Sequence, residues 1–202
     1  IAIDVVSGGE LQTAIAAGAK DNMLYFHGNN KSIEELTLGL GADARIVVDN
    51  WHELKSLNQL AADAGKTATI LLRLPPGIAC HTHEYIQTGH IDSKFGFDPD
   101  QLEEVFDFIA KQTSNIKCIG LHAHIGSQIF ELQPHHDLAE VMMRWFQSAS
   151  QYGITIKEVD IGGGLGIRYT ESDDPPRIDE WAKTDCESMV AVCEANDLPL
   201  PK

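Results

Sequence analysis

Six short apolar runs order this chain, each carrying polar or glycine-rich residues at its carboxyl end. "IAIDVV" at 1–6 precedes "GGELQTAIAAGA", where Leu11, Ile15 and Ala19 recur at helical spacing. "NMLYFHG" at 22–28 precedes "KSIEELTLGLGA", and "ARIVVDN" at 44–50 precedes "WHELKSLNQLAADAG". "TATILLRLP" at 67–75 leads into a long loop and then a helix near 99–113, with Pro99 in its first turn. "IKCIGLHAH" at 116–124 precedes a helix near 134–152, and "IKEVDIGGG" at 156–164 closes the series. Near-continuous apolar strands separated by helices imply a parallel sheet covered by helices.

A doubly wound sheet and a (β/α) barrel both satisfy that alternation. An open sheet usually concentrates its chemistry at one switch point, whereas a barrel gathers loops from the whole ring. Here the polar residues are spread over six strand ends: Asp4 with Ser7 and Gly8, His27 to Lys31, Asp49 and Asn50, Arg73, His122 to Gln128, and Gly162 to Gly164. The expected fold is therefore α/β, a partial (β/α)8 TIM-type barrel. Closure needs eight strands. The tail from 170 to 202 offers an acidic loop and one helix over "CESMVAVCEA" but no clear strand. Both ends look cut from something longer, and the missing strands are expected before Ile1 and after Lys202. An intact domain with an unusual tail is the competing reading.

Composition narrows the function classes. A chain of 202 residues with 43% apolar and 22% charged residues is long enough for one substantial core. Its formal charge of −15, from 15 basic and 30 acidic residues, repels phosphate polymers at long range and argues against nucleic acid as a partner. No apolar stretch approaches the ~18 residues of a membrane span. Cys80, Cys118, Cys186 and Cys193 form no CxxC pair and are read as reduced thiols of a cytoplasm-like compartment.

Three stretches carry chemistry. In "DIGGGLGIRY" at 160–169, Gly162, Gly163 and Gly164 follow a strand directly, and consecutive amides without side chains can surround a phosphate. The spacing is not that of a dinucleotide site, and a tight turn needing positive φ is the plain alternative. In "GLHAHIGSQ", alternation sends His122 and His124 to one side of a strand end. An imidazole there can lie flat on an aromatic ring or simply pack and hydrogen-bond inside the ring of strands; Ser127, just past Gly126, can bond a phosphate oxygen. A metal site drawn from His81, His83, Glu84, His122 and His124 lacks diagnostic spacing, so no metal is expected. The loop "HTHEYIQTGHIDSKFGF" at 81–97 is long enough to carry function, and its Lys94 could neutralise a carboxylate or be a solvated surface residue. Ser7 can cap the following helix, and Ser32 with Glu35 makes a capping box.

Together "DVVSGGEL", "FHGNNKS", "VDNWHEL", "HTHEYIQTGHIDSKFGF", "GLHAHIGSQIF" and "DIGGGLGIRY" resemble the diaminopimelate decarboxylases. These belong with the alanine-racemase-like decarboxylases that depend on pyridoxal 5'-phosphate. The resemblance implies the amino-terminal barrel domain, strands two to seven, over residues 1–202. It implies a whole protein that converts meso-2,6-diaminopimelate to L-lysine and carbon dioxide as a homodimer acting on a small amino acid. The compartment would be the cytoplasm, or the plastid stroma in a plant or alga. His124 matches the histidine stacked on the cofactor ring, Ser127 a residue near its phosphate, and Gly162, Gly163 and Gly164 the phosphate-holding glycines. Asp4 and Glu10 match supporting acidic positions; Lys94 lies in a motif on the substrate side. The departures are absences: no "AVKAN"-like strand carries the lysine that would hold the cofactor, and neither Lys31 nor Lys94 matches it. An "EPGR"-like segment and a carboxyl-terminal β domain are missing too, so this stretch alone is expected to be inactive. A decarboxylase of another basic amino acid and a non-catalytic pyridoxal-phosphate-binding homologue are the alternatives.

Overall fold

The computed structural model describes residues 2–20, 23–78 and 94–202. Among the described residues six strands alternate with six α-helices: β1 (Ile3–Val5), α1 (Gly8–Ala16), β2 (Leu24–Phe26), α2 (Ile33–Gly41), β3 (Arg45–Val48), α3 (Trp51–Asp63), β4 (Ala68–Arg73), α4 (Leu102–Gln112), β5 (Ile116–His122), α5 (Gln133–Gln151), β6 (Glu158–Asp160) and α6 (Ile178–Ala195). All pairings are parallel and the spatial order is the chain order, β1 to β6. A doubly wound sheet reverses its order at a switch point; this sheet does not, so the barrel expectation holds.

The sheet also curls. Glu158 on β6 accepts a hydrogen bond from Tyr25 Oη on β2 at 2.9 Å and two from Arg45 on β3, through Nε at 2.7 Å and Nη2 at 2.8 Å. In a flat sheet β2 and β6 would stand four strand spacings apart, roughly 19 Å at about 4.8 Å each. Only a strongly curved sheet lets those side chains meet.

Alternation divides the residues between two faces. The outward set, Phe26, Ile46, Val48, Ile70, Leu72 and Leu121, is buried against the helices, in the main core and a smaller one under α1. The inward set forms a small cluster of Val47, Leu71 and Ile119 with Tyr25 beside it. Gly120 belongs at this crowded inner face, because a Cβ there would stand 2.7 Å from both Leu71 Cγ and the Glu158 carbonyl oxygen. The register shifts beside it, between Ile70 and Leu71.

Helix ends follow local chemistry. Ser7 accepts the Glu10 amide at 3.2 Å, Asn50 the Glu53 amide at 2.9 Å, and Ser32 with Glu35 forms the full capping box. Each such cap contributes about 1 kcal/mol. On α3, Leu54, Leu57 and Ala61 are buried at helical spacing, and each leucine contributes ~1.5–3 kcal/mol by leaving water. Pro99 opens a short 3-10 turn that runs into α4. The tail forms α6 and then returns to the outer edge of β6: Lys202 donates to the Lys157 carbonyl at 2.8 Å and accepts from the Val159 amide at 2.9 Å, a parallel bridge. Cys118, Cys186 and Cys193 are free thiols; Cys80 lies outside the described residues.

Candidate functional site

Register alone places the first two parts of the site. β5 and β6 pair with His122 beside Asp160, so residues two further along, His124 and Gly162, also lie side by side. The Gly163 amide points at His124 Nδ1 at 3.4 Å. Gly162 has φ 70° and Gly164 φ 105°, both in the region that favours glycine. Space demands glycine as well: a Cβ on Gly162 would stand 2.5 Å from His124 Nδ1, and one on Gly164 would overlap the Gly126 carbonyl oxygen. The loops after the two strands are stitched together, Ile129 donating to the Gly164 carbonyl at 2.9 Å and accepting from the Gly166 amide at 2.8 Å. Ser127 is exposed on this turn, between Gly126 and Gln128.

Burial lowers the pKa of His124 to about 4, helped by the neighbouring His122 and Arg73 charges. The ring is therefore neutral at pH 7, and with Nδ1 turned to the Gly163 amide its proton sits on Nε2. His122 has a different role. It is buried, burial lowers its pKa, and its Nδ1 lies 3.2 Å from Asp160 Oδ2. Of the two histidines in "HAH", one packs and binds within the curl and the other stands at the glycine turn.

Asp160 joins three strands. Its Oδ2 faces His122 and, at 3.6 Å, His27 Nε2 from the end of β2; its Oδ1 accepts the Gly162 amide at 2.8 Å. Burial alone would raise this carboxyl, but the contacts from His122 and the Gly162 amide outweigh it and hold the pKa at about 2. His27 Nε2 also lies 3.6 Å from Asp4, and its ring meets that of His122 edge-on with centroids 4.7 Å apart. His27, His122 and Asp160 are the one group among the described residues with three potential metal-ligand atoms within 4.8 Å. His81, His83 and Glu84 lie outside the described residues.

A second polar cluster buttresses the mouth of the curl. Lys31 Nζ donates to the Gly28 carbonyl at 2.6 Å and the Val47 carbonyl at 2.8 Å, and lies 2.8 Å from the Glu53 carboxylate. Burial raises Glu53 to about 7 even against the Lys31 charge, and burial raises Asp49 as well. Arg73 lies 3.8 Å from Asp49 and over the Phe95 ring at 4.1 Å. The "SKFGF" segment docks here: Phe97 donates to the Arg73 carbonyl at 3.0 Å, and Gly96, at φ 81°, has that carbonyl oxygen 2.8 Å from where a Cβ would be.

The structure thus brings Gly162 and Gly163 against His124 and Gly164 against Gly126, with Ser127 exposed on the loop after β5 and Asp4 3.6 Å from His27. Glu10 is apart from them; its carboxylate accepts the Val6 amide at 2.7 Å and fastens the β1–α1 turn. Lys94 is exposed on the rim, its carbonyl 3.4 Å from Asn29 Nδ2 and its ammonium 5.2 Å from the Phe95 centroid. Sequence reasoning gave no role to His27, Glu53, Asp160 or Arg73. The strand-end positions of His27, Arg73 and Asp160 were visible, and Glu53 falls in the first turn of α3, but their pairings depend on contacts between distant elements. A cavity of about 460 Å³ inside the curl is lined by Asp4, Tyr25, Arg45, Glu158, Asp160 and Gly162. A larger one of about 710 Å³ lies between α1 and α2, away from this chemistry.

Glycine amides beside a neutral imidazole, at the carboxyl ends of adjacent strands in a curled parallel sheet, form the polar mouth of a (β/α)-barrel domain. The donors fit pyridoxal 5'-phosphate: a Cβ would fill the turn, and the ring offers a flat, uncharged face. The family described as pyridoxal-dependent decarboxylase, pyridoxal binding domain, matches residues 1–199; the chain belongs to it. It is 55% identical to diaminopimelate decarboxylase of Synechocystis over 100% of this chain and 45% of the relative. With the enzyme of that name from Bacillus subtilis it is 42% identical, over 94% of this chain and 44% of the relative. The crystal structure of diaminopimelate decarboxylase from Helicobacter pylori complexed with L-lysine superposes with a TM-score of 0.87 at 31% identity, covering 94% of this chain and 48% of that one. The chain spans a little under half the length of these relatives.

Proposed function

We propose that this chain is the pyridoxal-phosphate-binding barrel portion, strands two to seven, of a diaminopimelate decarboxylase. The whole protein would convert meso-2,6-diaminopimelate to L-lysine and carbon dioxide. The observation that carries this is the 55% identity to the Synechocystis enzyme along the full chain. The convergence of His124 on the glycine turn supports it.

The cofactor, when bound, supplies the electron sink into which the bond to the departing carboxylate can collapse. This chain's residues hold and orient it. The glycine turn at 162–164, with Ser127 beside it, receives the phosphate. His124 offers a neutral face to the pyridine ring, and its depressed pKa keeps it from carrying a charge there at working pH. Lys31 is not the amine that links to the cofactor, because it is buried and held by two backbone carbonyls beside the Glu53 carboxylate. That lysine, the carboxylate facing the pyridine nitrogen and the carboxyl-terminal β domain would come from the rest of the protein, and this stretch alone would have negligible activity. The whole protein would act as a homodimer in the cytoplasm, or the plastid stroma of a plant or alga. No helix among the described residues is long and apolar enough to cross a membrane.

The test is carbon dioxide release by the full-length protein from meso-2,6-diaminopimelate, ornithine and arginine. Release from the first alone is expected. Preference for another substrate would reassign the specificity, and cofactor binding without release would mark a non-catalytic homologue.

A further inference from the structure

We infer that Asp160 is a positioning residue that sets the phosphate cradle by holding the Gly162 amide, leaving Gly163 and Gly164 to receive the anion. This rests on the reading that the glycine turn binds the cofactor phosphate. A carboxylate next to a phosphate site is unexpected on charge alone, since the two repel. Geometry explains it. Oδ1 takes the Gly162 amide at 2.8 Å, and Oδ2 is crowded from the far side by the imidazoles of His122 at 3.2 Å and His27 at 3.6 Å, neither of them in hydrogen-bond geometry. Side chains from two neighbouring elements thereby pack around one carboxylate, and the carboxylate holds the first residue of the turn by a hydrogen bond. The Gly162 amide is thus spent inside the protein. Among the described residues the Gly164 amide has no acceptor, and the Gly163 amide has only the long contact to His124 Nδ1 at 3.4 Å. Both histidines are buried, so the clamp is built before any ligand arrives.

The sign of the effect separates this role from plain electrostatics. Removing a negative charge beside a phosphate should strengthen phosphate binding; removing a clamp should weaken it. The experiment titrates the full-length apoenzyme with pyridoxal 5'-phosphate and with pyridoxal, which lacks the phosphate. D160A should lose about tenfold in affinity for the phosphorylated form, with little change for pyridoxal. D160N, whose side-chain carbonyl can still accept the Gly162 amide, should restore most of it. Equal losses for both ligands in D160A, or no loss, would overturn the inference. If D160A does not fold, H122Q decides: a smaller loss confined to the phosphorylated form supports the clamp, and an unchanged affinity ratio contradicts it. G163A tests the underlying reading separately, since a Cβ there meets nothing within 4 Å and the fold should tolerate it. An unchanged ratio in G163A means the phosphate sits elsewhere. A loss in G163A with none in D160A or H122Q removes only the role of Asp160.

Discussion

Substituting Glu158 with glutamine tests what holds the sheet in its curl. The carboxylate binds Arg45 through two nitrogens, at 2.7 and 2.8 Å, and takes the Tyr25 hydroxyl at 2.9 Å. Burial and this bond push the Tyr25 pKa up to about 12, so the phenol stays a donor at any working pH. Breaking a fully buried pair on one side costs ~3–5 kcal/mol. The Arg45 and Glu158 side chains retain 18% and 13% of their exposure, and water screening reduces that figure to about 2 kcal/mol. The glutamine keeps the shape, and its one oxygen can still accept from Tyr25 and Arg45 Nε, but its NH2 then faces the Arg45 Nη2 donor, so the loss reports the charge together with one acceptor. Urea unfolding of the full-length protein, as a double-mutant cycle with R45M, measures it; a coupling energy of ~1–2 kcal/mol is expected. Additive single effects, or an E158Q stability within ~0.3 kcal/mol of wild type, would show that the outer helices impose the curl without this lock.

Three further outcomes follow from the site. G162A should destabilise by ~1–2 kcal/mol from its left-handed backbone and weaken cofactor binding further by displacing the His124 ring; wild-type cofactor affinity would contradict the packing. The His124 proton resonance should titrate near pH 4 in the folded protein. Because its folded pKa is depressed, the unfolded chain binds the extra proton first, so this group's stabilisation is present above the unfolded value of about 6.5 and is lost as pH falls from there through about 4. An ordinary titration near 6.5 in the folded state would sink the assignment. Borohydride reduction of the holoenzyme should leave Lys31 unlabelled in a peptide map, and K31M should destabilise by ~1–3 kcal/mol by leaving the Gly28 and Val47 carbonyls without their donor, while the buried Glu53, already raised to about 7, takes up a proton; cofactor on Lys31 would refute its structural role.

Much of the fold could be read from the order of residues, because strand and helix identity depend on local periodicity. The polar strand ends at Asp49, Arg73, His122 and Gly162 pointed to one face of a barrel, and the caps at Ser7 and Ser32 needed only their neighbours. Strand lengths were less legible: "IAIDVV" and "IKEVDIGGG" yield strands of three residues each, the second giving way after Asp160 to the glycine turn. The pairings that matter most were invisible. Asp160 meets His27 across 133 positions of sequence and His122 across 38, and only the curl brings β2 to β6. The roles of the two histidines in "HAH" could not be separated either, because alternation gives them the same side while the strand stops between them. Lys31 is held by two backbone carbonyls that no side-chain pattern encodes.

The most direct test of the central claim is a crystal structure of the full-length protein with pyridoxal 5'-phosphate bound. The account predicts the phosphate within hydrogen-bonding reach of the Gly163 and Gly164 amides, the pyridine ring against His124, and the Gly162 amide still on Asp160. A phosphate held at another strand end, with the His124 ring facing away from the cofactor, would contradict it.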